Sequence, residues 1–221
     1  MQIFFSLFVF GEVWRSKEKE VTLSSISINN KIMTYIETEI PGVWIIEPKI
    51  FFDPRGYFME AFKQQEFDAT IGQINFIQDN ESQSSFGTLR GLHYQKGAYI
   101  QAKLVRVIKG EVLDVAVDLR KSSPTFGKHI SVLLSDENKR QLFIPRGFAH
   151  GFAVLSEIAL FQYKCDNFYH PEADAGINIK DESLGIDWKV PVEHAILSEK
   201  DLKHACLKDA SYDFDINNKL Y

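Results

Sequence analysis

Cysteine is scarce in this chain: Cys165 and Cys206 are the only two in 221 residues, and neither sits in a Cys-x-x-Cys or Cys/His ligand spacing. A disulfide framework and a zinc ribbon are both disfavoured, and two ordinary thiols suit a reducing compartment such as the cytoplasm. Basic clusters are missing as well. With 25 Lys+Arg against 30 Asp+Glu the formal net charge is −5, so the chain repels phosphate backbones at long range, and no Lys/Arg run offsets this. A nucleic-acid partner is not expected. Long apolar runs are absent too. The opening stretch, Met1 to Phe10, falls far short of the roughly 18 residues a spanning helix needs. It also lacks the basic start and small-residue cleavage site of a signal peptide. No membrane partner is expected. No Gly-rich phosphate loop follows a strand, and no G-x-S-x-G elbow is present.

What remains is an ordinary globular balance, 45% hydrophobic and 25% charged, long enough for one core that needs no staple. Residues 1–32 read as an extension outside that core, as if from a start upstream of Met33, and residues 33–221 read as a single domain. From Ile40 onward, short apolar or alternating runs are broken by Gly, Pro, Asn and Asp, the texture of many short antiparallel strands. The runs are Val43 to Glu47, Tyr57 to Phe62, Phe76 to Asn80, Thr88 to Tyr94, Ala102 to Ile108, Glu111 to Leu119, His129 to Leu134, Gln141 to Ile144, Gly151 to Leu155 and Ala159 to Cys165. In Glu111 to Leu119, Leu113, Val115, Val117 and Leu119 share one face while Val112, Asp114, Ala116 and Asp118 share the other. That period predicts one packed face and one that is wet or functional. Two short helices are expected, Gln64 to Thr70 and Ser198 to Lys208, the second opened by Ser198 as N-cap. Many strands without long βαβ spacing point to an all-β sandwich or barrel of jelly-roll type.

The densest polar constellation runs through Gln78, Asp79, Asn80 and Glu81, then Arg90, Gly91 and His93, then Lys103 and Arg106. A lone histidine on a strand is commonly a satisfied core residue. His93 has basic residues and a Gln/Asn pair close by, the mix expected where an anionic ligand is held and a proton is moved. Strict alternation would put Arg90 and His93 on opposite faces, and a bulge at Gly91 would bring them together. His150 lies in a Pro/Gly segment from Phe143 to Phe152, which as a turn can be purely structural. Tyr163 shares a face with Phe161 and Cys165, an arrangement equally suited to a core. Leu197 to Asp201 by itself is a charged helix start. A metal cupin would need His-x-His and a later Glu, but His93 is followed by Tyr94 and Gln95, and His93 with His150 offers too few ligands.

With these residues in place, the chain from about Ile40 to about Asp201 resembles the dTDP-4-dehydrorhamnose 3,5-epimerase family. The resemblance rests on nine segments in order: Glu47 to Lys49, Asp53 to Glu60, Phe76 to Asn80, Leu89 to His93, Lys103 to Arg106, Ser123 to Gly127, Glu137 to Leu142, Gly147 to Phe152 and Leu197 to Asp201. It implies a cupin-type jelly roll (double-stranded β-helix) with a few short flanking helices, a homodimer, a nucleotide-sugar substrate, and neither metal nor organic cofactor. It further implies that His93 is the base, paired with Asp201, that Tyr163 is the acid on the far side of the sugar, that Lys103 stabilises the enolate and that His150 lines the pocket. Arg55, Glu60, Gln78, Asp79, Asn80, Arg90 and Lys200 match positions that hold the nucleotide, with Arg55 and Glu60 arriving from a partner subunit. Three positions depart from the family pattern. Arg146 adds positive charge near His150, Asp174 replaces a Glu, and Ile179 replaces a Trp at what is expected to be the pocket edge.

The chemistry this implies is inversion at C3 and C5 beside a C4 ketone, through an enolate. A relative that epimerises one carbon or isomerises a 3,4-keto sugar is the near alternative. A metal-dependent cupin oxygenase and a non-catalytic sugar-binding module are alternatives from other classes.

Overall fold

The alternating runs become strands. A computed structural model describes residues 32–218, 220 and 221, so the expected extension lies outside the described residues except for Ile32. Along the described chain run β1 (Met33–Glu37), β2 (Trp44–Pro48), β3 (Phe51–Asp53), β4 (Gly56–Phe58), α1 (Gln64–Thr70), β5 (Gln78–Ser85), β6 (Leu89–Gln95), β7 (Lys103–Lys109), β8 (Glu111–Asp118), β9 (His129–Ser135), β10 (Gln141–Ile144), β11 (Phe148–Val154), β12 (Ile158–Cys165) and β13 (Asp174–Gly176). They form a six-stranded sheet in the order β1-β2-β10-β7-β12-β5, a five-stranded sheet in the order β13-β6-β11-β8-β9, and a separate β3-β4 hairpin. The strand pairings are antiparallel throughout. This is the all-β, cupin-type jelly roll that the sequence leads one to expect.

Strand β8 explains why the two sheets stack. Its Val112 and Ala116 meet Val105, Val107, Leu142 and Phe161 of the other sheet in the core between them. Its opposite face is not wet. Leu113, Val115 and Val117 are buried under Ile177, Ile179, Leu184, Trp188, Val190 and Phe214 of the C-terminal segment. The packed face is thus as expected, under the chain after β13, while the face of Val112, Asp114, Ala116 and Asp118, expected to be wet or functional, is buried as well, because a second sheet covers it and a local period cannot reveal that. The six-stranded sheet is covered likewise, with Phe67 of α1 buried against Ile46, Leu104 and Phe143.

Several boundaries move. The expected strand from Tyr57 stops at Phe58, because its ladder partner, Phe51–Asp53, ends there. Phe76 to Asn80 gives way to Gln78–Ser85, whose polar sequence alternates half-buried and exposed residues while pairing with all of β12. The expected turn around His150 is confined to its start, and His150 itself lies within β11. Ser198 to Lys208 is not one helix but two 3-10 turns, Asp201–Lys203 and Leu207–Asp209. Ser198 Oγ does accept from the Asp201 amide at 3.1 Å, as a cap would. Helix propagation fails beyond it because Ala205 bridges to Ile177 and its carbonyl accepts from the Asn178 amide, which draws the backbone out. Ile179, expected at the pocket edge, is buried instead beneath the outer face of the five-stranded sheet.

The bulge expected at Gly91 is present. His150 pairs with His93 and Phe152 with Arg90, so three steps on β6 match two on β11. Gly91 has a φ of +134°, and a Cβ there would sit 2.5 Å from the Gly151 Cα and 2.9 Å from the His150 carbonyl oxygen. Neither backbone can retreat, since β11 is held on its other edge by β8. Gly91→Ala is expected to destabilise the fold by about 2–4 kcal/mol, the range for a substitution that forces backbone apart at a special φ. Urea denaturation measures this, and a loss below about 0.5 kcal/mol, the level of an ordinary surface change, would contradict the close-approach account.

Candidate active site

The bulge sets the direction of the β6 side chains, and the C-terminal segment brings the partner. Ile196 adds itself beside β6, donating its amide to the Gly87 carbonyl and accepting from the Leu89 amide, each at 3.0 Å. That anchor places Ser198 and Asp201 over His93. The His93 Nε2 and Asp201 Oδ1 lie 2.5 Å apart across 108 positions of sequence. Asp201 is buried while His93 stays partly open, at 3% and 31% side-chain exposure. Burial acts to raise the Asp201 pKa. The hydrogen bond from His93 and that ring's charge outweigh it, and the carboxyl is held below its ordinary value. An ionised carboxylate only accepts, so Nε2 carries the hydrogen, and in the neutral ring Nδ1 keeps its lone pair.

His93 opens onto a cavity of about 550 Å³, lined also by Arg90, Lys103, His150, Tyr163 and Asp201. His93 and Arg90 come from the five-stranded sheet, Lys103 and Tyr163 from the six-stranded one, so the cavity lies between facing walls. Burial raises the Tyr163 phenol above its ordinary value, with Cys165 adding to the effect, so it stays protonated through neutral pH. Burial lowers the Lys103 pKa, an effect opposed by Cys165 and Asp114. The Lys103 ammonium also stands 5.8 Å from the centre of the Tyr163 ring.

Asp114 was not singled out from the sequence. It is fully buried and its carboxylate meets His150 Nε2 at 2.9 and 3.1 Å. Burial lowers the His150 pKa against the pull of Asp114. The signal for Asp114 was available: it is one of two acidic residues, with Asp118, on the inward face of β8, flanked by Val112 and Ala116. His204 was missed as well. Its ring stands edge-on to His93, with centroids 5.6 Å apart, and a sequence reading of a helix there gives no reason to single it out.

Other expected residues are dispersed. Asn80 lines the main cavity, while Gln78 opens with Asn80, Tyr163 and Tyr169 onto a smaller one. Asp79 points to the other face of β5 and pairs with Lys164 at 2.9 Å. Lys200 pairs with Asp174, which also accepts from Gln95 and Tyr169. Arg55 sits at the tip of the β3-β4 hairpin, held by Asp53, and Glu60 follows β4, close to Lys63. Neither lines the cavity. Arg146 does not add free charge beside His150, because its Nε pairs with Asp166 at 2.8 Å. Among the described residues no helix is long and apolar enough to cross a membrane.

Comparison with known proteins agrees with this fold. The family model for dTDP-4-dehydrorhamnose 3,5-epimerase matches residues 37–209. A dTDP-4-dehydrorhamnose 3,5-epimerase of Shigella flexneri is 56% identical over 181 residues, covering 81% of this chain and 99% of the relative. The crystal structure of dTDP-4-dehydrorhamnose 3,5-epimerase from Elizabethkingia anophelis NUHP1 superimposes with a TM-score of 0.78 at 52% identity, covering 81% of this chain and 98% of that one. That of dTDP-6-deoxy-D-glucose-3,5-epimerase from Legionella pneumophila Philadelphia 1, in complex with dTDP-4-keto-L-rhamnose, gives 0.77 at 51% identity, covering 80% and 93%. The chain accordingly belongs to the dTDP-4-dehydrorhamnose 3,5-epimerase family, a family of isomerases.

Proposed function

We propose that this enzyme inverts C3 and C5 of dTDP-4-dehydro-6-deoxy-D-glucose, giving dTDP-4-dehydro-L-rhamnose for dTDP-L-rhamnose biosynthesis. The observation that carries the reading is the shared cavity: His93, backed by Asp201, faces it from one sheet, and Lys103 and Tyr163 from the other. A ketone at C4 acidifies the hydrogens on C3 and C5, because the electron pair left behind moves onto the carbonyl oxygen. In this reading the His93 Nδ1 lone pair takes the proton as the C–H bond breaks. Lys103 stands by the resulting enolate oxygen, a stabilisation worth roughly 3 kcal/mol by analogy with oxyanion-hole donors. As the carbonyl re-forms, carbon takes a proton from the Tyr163 phenol on the opposite face, and the configuration is inverted. Acid and base on facing sheets are what an inversion requires, since return from the same side would restore the starting sugar.

Arg90 brings a guanidinium to the cavity mouth, where it donates to Ser84 Oγ at 3.0 Å, and suits the substrate's diphosphate. Asn80 and Gln78 lie on the same side and suit the nucleoside. The relatives' ligands support a dTDP sugar as the substrate. We assign Asp79 and Lys200 to the edge of the nucleotide site, each released from its present ion pair when the nucleotide is bound.

The enzyme acts as a homodimer in this reading. The β3-β4 hairpin exposes Phe51, Phe52, Tyr57 and Phe58, the second and fourth at 78% and 65%, and carries Arg55 at its tip. Such a two-stranded unit is not stable alone in water and calls for a covering partner. A second copy would cover it and bring Arg55 and Glu60 to the neighbouring cavity.

Three results are expected. Incubation with the 4-keto sugar in deuterated water places label at both C3 and C5, read by NMR, and label at one carbon only would favour the single-carbon alternative. Tyr163→Phe keeps His93 in place and therefore exchanges hydrogen with retention, while epimerisation falls at least about 100-fold, the lower range for loss of a general acid; unchanged epimerisation would remove Tyr163 from its role. Phe52→Asp combined with Phe58→Asp shifts the sedimentation coefficient from dimer to monomer, and a dimer that persists would place the interface elsewhere.

A further inference from the structure

His93, Asp201 and His204 each offer one possible ligand atom, and the three atoms lie within 4.8 Å of one another. The His204 Nδ1 is buried and has no hydrogen-bond partner among the described residues. Space for the ring is made by Gly176, where a Cβ would come within 2.3 Å of His204 Nδ1, and Gly176 is itself paired with His93 across the sheet. Two imidazoles and one carboxylate form a donor set suited to zinc, which binds such ligands at roughly 2.0–2.2 Å in a tetrahedron. In a tetrahedron of that size neighbouring ligand atoms stand roughly 3.4 Å apart, so small side-chain rotations of His93 and His204 close the cluster.

We propose that His93, Asp201 and His204 form an inhibitory binding site for a divalent zinc ion, entered from the substrate cavity. This rests on the catalytic reading of His93 only for its consequence, not for the binding itself. Zinc takes the Nε2 lone pair of His93, so the ring's hydrogen moves from Nε2 to Nδ1. The nitrogen that removes the substrate proton then has no lone pair to do so. Zinc also occupies the Asp201 oxygen that fixes the tautomer. The fourth position of the tetrahedron faces the cavity and takes water. The ion therefore opposes turnover, in contrast to a cofactor, and the cation-free form is the active one. Magnesium, which prefers six oxygens, is excluded by the donor set.

The test uses the full chain, freed of metal by dialysis against chelator, with Zn²⁺ titrated into wild type and His204→Asn. Calorimetry is expected to give a single strong site in wild type that weakens at least tenfold in the variant, with no binding of Mg²⁺. Co²⁺ as a spectroscopic probe is expected to give tetrahedral d–d absorption in wild type and lose it in the variant. Turnover of wild type, relative to its own metal-free rate, is expected to fall with Zn²⁺ at concentrations at least tenfold lower than in the variant, and to return on adding chelator. Equal Zn²⁺ affinity in the two proteins would overturn the site. Binding that depends on His204 but leaves turnover unchanged would uphold the site and contradict the assignment of His93 as base.

Discussion

The hydrogen bond between His93 and Asp201 joins two parts of the molecule that the chain separates by more than a hundred residues. One end stands on a strand fixed by ladders on both edges. The other stands on a short turn held by Ser198 and by the backbone bonds of Ile196. The C-terminal segment is therefore both a cover for the five-stranded sheet and the carrier of the carboxylate that fixes the imidazole. Loosening that cover would cost packing and disturb the His93–Asp201 pair together.

The facing sheets supply the rest. Their apolar core ends at the cavity, where Phe161 stacks on Phe152 and approaches both His150 and Tyr163. Burial there pushes Lys103 and His150 toward their neutral forms and Tyr163 toward its protonated form. Ionised groups are costly in such surroundings unless paired, and the two buried carboxylates of β8 are paired. Asp114 accepts from His150, and Asp118, deeper on the same face of β8, is held by Arg120, Ser123 and Thr125. The Ser123 to Gly127 segment thus serves the frame, through Ser123 and Thr125 on Asp118.

Much of this was legible from residue order. Period two located most strands, and Gly91 marked the bulge because a separation of three between Arg90 and His93 admits no other way of sharing a face. The C-terminal segment was the least legible part. Its capping pattern at Ser198 is genuine, but a long-range bridge from Ala205 to Ile177 decides its conformation, and local propensity carries no trace of such a bridge. The same blindness hid His204, whose neighbours come from β6 and β13. Strand β5 was shortened because its polar sequence lacks the apolar alternation that marks a buried face. Asp79 and Lys200 were named by the family resemblance, and order alone does not show that each is engaged in an ion pair, with Lys164 and Asp174.

The central claim is that Asp201 fixes the tautomer of His93 so that one nitrogen is left with its lone pair. Nitrogen-15 NMR of histidine-labelled protein at pH 8, with His93 assigned by comparison with His93→Asn, reports the state of each ring nitrogen directly. The account predicts that the neutral His93 ring carries its hydrogen on Nε2 and none on Nδ1, with loss of that single form in Asp201→Ala. A ring with its hydrogen on Nδ1, or an equal mixture unaffected by Asp201→Ala, would contradict it.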